Sequence, residues 1–219
     1  MAERGVRLLL SGRSRDRLEA TAERAREAGA ETHTSVGDLA EDDALHRLVA
    51  AAHEDLDGVD LLIHALGAYR AGSVAATPPE ELDHQLRVNL RVPYELTRQL
   101  LPSLRERRGQ IVFVSSSAAL RPNGPIAAYA ASKAALRALA ACLRDEVNPD
   151  GIRVLSVFPG RTASAMQEEV HRTEGRPYEP ERLLQPGEVA STVVHALELP
   201  PTAEVTDVQI RPAYPPSVS

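Results

Sequence analysis

The chain has 219 residues, a formal net charge of −6 and a hydrophobic fraction of 43%, and this length is enough for one α/β domain with a sizeable core. No basic run indicates a nucleic-acid partner, and no apolar stretch reaches the roughly 20 residues that a membrane-spanning helix needs. No segment is typical of a secretion signal, and the histidines and the single cysteine show no ligand-like spacing, so we expect a cytoplasmic protein without a metal site.

Hydrophobic periodicity predicts strands that alternate with helices along the chain. Strands are predicted at Val6–Ser11, Glu31–Val36, Val59–Ala65, Gln110–Ser115, Ile152–Val157 and Val205–Ile210. Helices are predicted at Arg15–Ala28, Asp42–Leu56, Pro79–Leu101, Ala127–Val147, Met166–Thr173 and Glu188–Glu198. This alternation is typical of parallel βαβ units, so we expect a single domain over residues 1–211. The prolines beyond it predict a loose tail at 212–219.

Lys133 is the only lysine among the 25 lysine and arginine residues of the chain. It follows Tyr129 by one turn of a predicted helix, which puts the two side chains on one face. A nearby ammonium favours the phenolate and would lower the pKa of Tyr129 from its ordinary value of about 10. A phenol tuned toward neutral pH can act as a general acid or base. The alternative is an ordinary surface pair on an amphipathic helix.

Three serines, Ser115 to Ser117, follow the apolar strand Gln110–Ser115. In parallel α/β sheets, hydroxyls at the carboxyl end of a strand face the crevice where ligands bind. Turn or capping chemistry is the alternative, and it suits Ser115 and Ser117 in particular. Ser116 is therefore the candidate to join Tyr129 and Lys133 in a site.

Ser116, Tyr129 and Lys133, placed after this strand, resemble the active site of the short-chain dehydrogenase/reductase family. Four further segments match the family in the right order, so the resemblance covers nearly the whole chain: Asp60–Gly67, which retains only the glycine of the family's Asn-Asn-Ala-Gly, Val88–Leu90, Pro159–Thr162 and Gln185–Ala190. The resemblance implies a Rossmann-like, doubly wound parallel sheet. It also implies an oxidoreductase that interconverts a small-molecule carbonyl and an alcohol by hydride transfer with a nicotinamide cofactor.

The resemblance assigns a role to four catalytic residues. Tyr129 would be the general acid and base, and Ser116 would donate a hydrogen bond to the substrate oxygen. Lys133 would lower the tyrosine pKa and hold the cofactor ribose, and Asn89 would anchor a water that links Lys133 to solvent. The family further implies cofactor contacts at Leu39, Ala65, Gly67, Tyr129, Lys133, Pro159, Gly160, Thr162 and Ser164.

Two arginines after the first predicted strand bear on the choice of cofactor. In dinucleotide-binding sheets an acid here grips the ribose 2′-hydroxyl, whereas arginine accommodates a 2′-phosphate. The chain has Arg13 and Arg15 at this point and reaches its first acid only at Asp16, which favours NADP(H) over NAD(H). The alternative is that both arginines are solvent charges. Asp38 would contact the adenine, or would cap the following helix.

Family members begin with a strand and a glycine-rich phosphate loop, and the chain shows neither. We expect an N-terminally truncated sheet, in which the absent central strand would lie between Val6–Ser11 and Val59–Ala65. Two inner edges would then carry unpaired backbone groups. Three explanations remain open: an upstream segment omitted from the sequence, direct pairing of the flanking strands, or a truncated paralogue. For the 219-residue polypeptide we expect weak cofactor binding and poor stability.

The family resemblance also implies a homodimer or a homotetramer. The helices that carry Asn89 and Tyr129 would pair across the interface, and Leu136, Leu139 and Leu143 form an apolar stripe that is either interface or core. A substrate lid is expected over Met166–Leu184. Two non-enzymatic alternatives remain: a weakly active or non-catalytic paralogue that senses a dinucleotide, or a subunit of an oligomer.

Overall fold

The computed structural model describes residues 5–213. Residues 1–4 and the part of the expected tail at 214–219 lie outside the described residues. Strands and helices alternate along the chain, as the sequence predicts, and the fold class is α/β. The chain divides into two compact units, one of Met1–Leu62 with Arg91–Gly109 and one of Ile63–Leu90 with Gln110–Ser219.

The first unit contains a two-stranded parallel sheet. Its elements are β1 (Arg7–Gly12), α1 (Arg15–Glu27), β2 (Glu31–Val36), α2 (Asp42–Asp55) and α4 (Val92–Arg107). β1 pairs with β2 in a register that sets Leu9 opposite His33. No residue of β1 is fully buried. The helices bury apolar faces, as amphipathic helices do. The buried face of α2 consists of Ala44, Leu45, Leu48, Val49 and Ala52.

Helix α4 runs farther than its sequence suggests. A helix end was predicted before Pro102, but α4 continues through that proline to Arg107. Proline removes one helical hydrogen bond, and the buried apolar residues Leu100 and Leu104 on either side compensate for that loss. The helix ends where Gly109 donates to the Leu104 carbonyl at 2.9 Å. A Cβ at Gly109 would lie 2.8 Å from the Asp60 carbonyl oxygen, so this turn requires glycine.

The second unit contains most of a four-stranded sheet with the order β3-β4-β5-β6. Its remaining elements are β3 (Leu61–His64, which begins at the unit boundary), α3 (Pro79–Leu86), β4 (Gln110–Val114), α5 (Ala127–Val147), β5 (Arg153–Pro159), α6 (Ala165–Glu174), α7 (Pro186–Leu197) and β6 (Asp207–Ile210). β4 pairs in parallel with β5, and β5 with β6. The two central strands form the core, in which Phe113 and Phe158 are at most 1% exposed.

Helix α5 packs an apolar face into this core. Leu136 is 2% exposed and Leu143 is 7% exposed, whereas Leu139 is half-buried. The apolar stripe of the sequence therefore belongs largely to the core of the unit.

The long helix predicted at Pro79–Leu101 is interrupted. A π-helical turn at Arg87–Arg91 separates α3 from α4 and carries Asn89. Such turns are rare and occur often at functional sites. Sequence periodicity missed this turn because its residues keep a helical apolar pattern.

The six strands of the described residues form two separate sheets, β1-β2 and β3-β4-β5-β6. Direct pairing of the strands that flank the expected gap is therefore not the arrangement within residues 5–213. No helix in the described part of the chain is long and apolar enough to cross a membrane.

Candidate active site

Three serines, Ser115 to Ser117, directly follow the carboxyl end of β4. Ser115 is 7% exposed, and its hydroxyl donates to the Lys133 carbonyl oxygen at 3.4 Å, which ties β4 to α5. Ser117 begins a short 3₁₀ turn that ends at Ala119. Structural roles for these two serines leave Ser116 as the hydroxyl available for chemistry.

Ser116 is held in an extended conformation at the start of this turn. Its Oγ accepts a hydrogen bond from the Ala118 amide at 3.2 Å, and its side chain hydrogen-bonds to that of Tyr129. The Ser116 side chain therefore interacts with both the backbone of this turn and the phenol of Tyr129. Ser116 and Tyr129, distant in sequence, are thus brought together as expected.

Burial dominates the acidity of Tyr129. It raises the pKa of the phenol from 10.0, while the hydrogen bond from Ser116 lowers it and the Tyr69 phenol raises it further. The prediction that Lys133 would bring this pKa below its ordinary value is wrong for this structure, because the cost of a buried phenolate outweighs the favourable contacts.

Lys133 is a buried cation with a single described hydrogen bond. Its side chain is 3% exposed, and its ammonium donates to the Val114 carbonyl oxygen at 3.4 Å. Burial lowers the pKa of Lys133 from 10.5 to about 8. An ammonium has three donors, so this group has hydrogen-bonding capacity left for a ligand.

Asn89 is fully buried and its side chain is committed to protein groups. Its Nδ2 donates to the Ala68 carbonyl and to Ser132 Oγ, each at 2.9 Å, and its Oδ1 accepts from the Ala68 amide at 2.8 Å. Both amide hydrogens are used, so the side chain clamps the loop after β3. The expected water contact of Asn89 stays a prediction.

Ser132 is a functional neighbour that sequence reasoning missed. It is fully buried, and its hydroxyl donates to the Tyr129 carbonyl oxygen at 2.8 Å while accepting from Asn89. Ser132 therefore links the clamp residue to the turn of α5 that carries the phenol. The available signal in the sequence was a serine within an alanine-rich helix.

Gly67 leaves a small cradle beside the ammonium. A Cβ on Gly67 would lie 3.5 Å from Asn89 Oδ1 and 3.6 Å from Lys133 Nζ. The backbone here thus approaches both polar groups without a side chain between them. Ala65, the other cofactor contact expected in this segment, is exposed. The cradle and the incompletely bonded ammonium fit a hydroxyl-rich ligand such as the ribose of a dinucleotide.

The turn after β5 contains the other cofactor contacts expected in this unit. Pro159 ends the strand, and a Cβ at Gly160 would lie 3.1 Å from Pro212 Cδ. Thr162 Oγ1 donates to the Gly160 carbonyl at 3.1 Å. Ser164 caps α6 by accepting from the Gln167 amide at 3.2 Å. The contacts of these residues with a cofactor stay predictions.

The first unit holds the residues predicted to choose the cofactor. Arg13 is 70% exposed in its side chain and lies 3.8 Å from Asp38 Oδ2. Asp38 Oδ1 also accepts from the Ala40 amide at 3.0 Å, so Asp38 braces the turn before α2, whose N-cap is Glu41. Leu39 is half-buried in the same turn. An exposed guanidinium in a weak ion pair can turn toward a phosphate.

A second tyrosine at the site was not foreseen. Tyr69 packs edge-to-face on Tyr129, with ring centroids 4.9 Å apart and planes at 73°. No spacing rule pointed to it, because its position follows from the loop that Asn89 holds. Among the described residues, no group of three or more histidine, cysteine, aspartate or glutamate side chains could hold a metal.

Solved structures share this architecture. An alcohol dehydrogenase from Thermococcus sibiricus, complexed with 5-hydroxy-NADP, is 26% identical with a TM-score of 0.84, covering 100% of this chain and 91% of its own. An actinorhodin polyketide ketoreductase variant with NADPH is also 26% identical, with a TM-score of 0.86 over 95% of this chain and 87% of its own. A 7α-hydroxysteroid dehydrogenase complexed with NADH, 20% identical with a TM-score of 0.85 over 96% of this chain and 85% of its own, shares the fold.

Sequence comparison points to the same family. A short-chain type dehydrogenase/reductase from Sinorhizobium fredii is 29% identical over 97% of this chain and 84% of its own length. The family model for short chain dehydrogenases matches residues 1–175, which is most of the 219-residue chain. The chain is therefore a member of the short-chain dehydrogenase/reductase family.

Proposed function

We propose that this chain is an NADP(H)-dependent oxidoreductase that interconverts a carbonyl and an alcohol, with Tyr129 as general acid and base. The observation that carries the proposal is the Lys133 ammonium, which is 3% exposed and has a single described bond at 3.4 Å. A buried, incompletely paired cation destabilises a fold. Lys133 follows Tyr129 by one turn of α5, and a bound ligand would supply the hydrogen bonds that its ammonium lacks.

Each unit, taken by itself, has residues that suit part of a dinucleotide. In the second unit, Lys133 and the Gly67 cradle suit the nicotinamide-side ribose, and the Pro159–Gly160 turn with Thr162 and Ser164 would contact the carboxamide. In the first unit, Arg13 would hold a 2′-phosphate, and Asp38 with Leu39 would contact the adenine. Two structural relatives carry NADP-type ligands, and one carries NADH, so the preference for NADP(H) depends on Arg13.

Each protein group then has a separate role in carbonyl reduction. The nicotinamide, when bound, supplies hydride to the carbonyl carbon. Ser116 donates a hydrogen bond to the carbonyl oxygen and stabilises the charge that develops there. Tyr129 gives its proton to the same oxygen, which yields the alcohol and leaves a phenolate. The Lys133 charge stabilises that phenolate, and a water held near Asn89 would return the proton from solvent.

In the oxidation direction the phenol must first lose its proton. Burial raises the pKa of Tyr129 above its ordinary value, so the unliganded protein disfavours the phenolate at neutral pH. Alkaline pH increases the phenolate fraction and therefore favours alcohol oxidation over reduction. The physiological substrate would be a small molecule that reaches Tyr129 beside the α6 segment.

A second candidate is a dinucleotide sensor without efficient turnover, or a subunit of an oligomer. The observation that favours it is the first-unit sheet, in which β1, within residues 5–213, pairs with β2 alone and buries none of its residues. A site based on so small a sheet would bind the adenosine half of a cofactor weakly. The family pattern would make either form a homodimer or a homotetramer, which native mass spectrometry would determine.

The test is NADPH-dependent reduction across aliphatic, aromatic and β-keto ester carbonyl compounds. For Tyr129→Phe we expect a loss of kcat of about 10²- to 10⁴-fold, the usual contribution of a general acid. Tyr94→Phe, at a tyrosine that is 49% exposed on α4, is the matched control and should retain full activity. Unchanged reduction by Tyr129→Phe would refute the mechanism. NADPH binding, followed by fluorescence, without turnover of any compound would support the sensor instead.

A further inference from the structure

Tyr69 is the aromatic side chain in contact with the proposed acid. Its ring meets that of Tyr129 edge-to-face, at 4.9 Å and 73°, a geometry that aromatic pairs favour. Tyr69 is half-buried, so part of its ring is packed against the protein. The contact restricts how the Tyr129 ring can turn about its own side-chain bonds.

The backbone on both sides of Tyr69 is held by buried side chains of the helical segment that follows it in the chain. The Ala68 amide donates to Asn89 Oδ1 at 2.8 Å, and the Arg70 amide donates to Gln85 Oε1 at 3.4 Å. Asn89 and Gln85 are both 0% exposed. Two buried side-chain amides thus hold the backbone of this loop residue, whereas connecting loops are usually more mobile.

The same loop is anchored farther along the chain. The Gly72 amide donates to the Pro125 carbonyl at 2.7 Å, and Gly72 forms a bridge to Ile126 just before α5. The Arg70 side chain pairs with Glu81 at 3.4 Å. These contacts fasten the loop to the start of the helix that bears Tyr129, so the two rings belong to one connected framework.

The phenol of Tyr69 interacts electrostatically with charged groups in and near the α6 segment. Burial raises the pKa of Tyr69, the Glu174 carboxylate raises it further, and Arg161 acts in the opposite direction. Arg161 Nη2 bonds both carboxylate oxygens of Glu174 at 2.8 Å. This ion pair joins the turn after β5 to the end of α6.

We propose that Tyr69 is a positioning residue, whose ring holds the phenol of Tyr129 in the orientation that keeps it hydrogen-bonded to Ser116. The proposal rests on the proposed function of Tyr129 and adds to it a residue that acts through the acid. Asn89 and Gln85 serve this arrangement by fixing the backbone on either side of Tyr69. The ring of Tyr69, not its hydroxyl, carries the effect.

The test compares Tyr69→Phe, which keeps the ring, with Tyr69→Leu, which removes it. Protein labelled with 3-fluorotyrosine would be titrated by fluorine NMR, with the Tyr129 resonance identified by its loss in Tyr129→Phe. We expect Tyr69→Phe to retain a sharp Tyr129 resonance. Tyr69→Leu should broaden it and shift its titration midpoint downward, because water then reaches the phenol.

Kinetics provide the second readout. Tyr69→Leu should lower kcat by roughly ten- to a hundredfold through misplacement of the acid, with the KM for NADPH unchanged, whereas Tyr69→Phe should retain kcat. Tyr94→Leu, at the exposed tyrosine of α4, is the control and should alter neither readout. If Tyr69→Leu does not fold by circular dichroism, Tyr69→Met removes the ring and leaves an unbranched, flexible side chain that can fill the gap.

Two results would overturn the proposal. One is a Tyr69→Leu variant that raises only the KM for the carbonyl compound, which would make Tyr69 a substrate contact. The other is a Tyr69→Phe variant as impaired as Tyr69→Leu, which would assign the role to the hydroxyl. Failure of the proposed function is distinguishable, because full activity in Tyr129→Phe would refute the acid, while the fluorine titration of Tyr129 still reports on its contact with Tyr69.

Discussion

The two sheets differ in how completely they are packed. In β5, every residue from Val154 to Phe158 is at most 5% exposed, as expected for a central parallel strand covered on both faces. In β1, the equally apolar run Leu8 to Leu10 is only half-buried. The catalytic candidates lie in the unit with the packed strands, and Arg13 and Asp38 lie in the unit with the open sheet. The difference suggests that catalytic geometry is better supported than adenosine binding.

The largest expected effect is on the free energy of unfolding, and it tests whether the two sheets are packed differently. Phe113 is 0% exposed in β4, so Phe113→Ala should lower the free energy of unfolding by about 3–5 kcal/mol. Leu9 is half-buried in β1, so Leu9→Ala should lower the free energy of unfolding by only about 1–2 kcal/mol, because less apolar area is lost. Urea unfolding by circular dichroism measures both. Equal losses would show that the two sheets are packed alike.

An effect of intermediate size is expected at Lys133. Burial lowers its pKa from 10.5 to about 8, so below pH 8 the folded protein bears the cost of a buried charge. Lys133→Met should therefore raise the free energy of unfolding at pH 7 by about 3 kcal/mol, as the pKa difference implies, while carbonyl reduction is lost.

The pH dependence gives the sign of this effect. Between pH 8 and pH 10.5 the unfolded chain binds more protons at this lysine than the folded protein does, so wild-type stability rises with pH. The advantage of Lys133→Met should shrink over that window in urea unfolding series. Arg121→Met, at an exposed residue, is the control and should show no such trend. A constant difference between Lys133→Met and wild type would contradict a depressed lysine pKa.

The smallest effect is expected at Arg13, in the open sheet. Its side chain is 70% exposed and lies 3.8 Å from Asp38, so its contribution to a phosphate contact is partly screened by solvent. Arg13→Ser should weaken NADPH binding about tenfold and leave NADH binding unchanged, as isothermal titration would measure. Arg17→Ser, an exposed residue of α1, is the matched control. Equal losses of affinity for NADPH and NADH would show that Arg13 does not determine the cofactor preference.

The sequence predicted much of this fold because its apolar periods are regular. The core strand β4 and the helix α5 fall within one residue of their expected bounds, since buried strands and alanine-rich helices have strong local signals. The π-turn at Arg87–Arg91 and the passage of α4 through Pro102 were not predictable, because tertiary packing outweighs local preference there.

The site was predictable to the extent that its residues carry a spaced motif. Ser116 and Tyr129 meet as expected because one ends a strand and the other begins a helix. Tyr69 and Ser132 were missed, since their roles arise from contacts across the fold and not from spacing. The acidity of Tyr129 was predicted in the wrong direction, because the helix pattern placed the ammonium nearby but said nothing of how deeply the phenol is buried.

The most direct measurement of the central claim is isotope transfer from the cofactor. NADPH deuterated at the transferable position of C4 would be incubated with the carbonyl panel, and the alcohols analysed by mass spectrometry. We expect one deuterium on the former carbonyl carbon with the wild-type chain, and loss of that product with Tyr129→Phe. Alcohol formed without deuterium, or formed equally well by Tyr129→Phe, would contradict it.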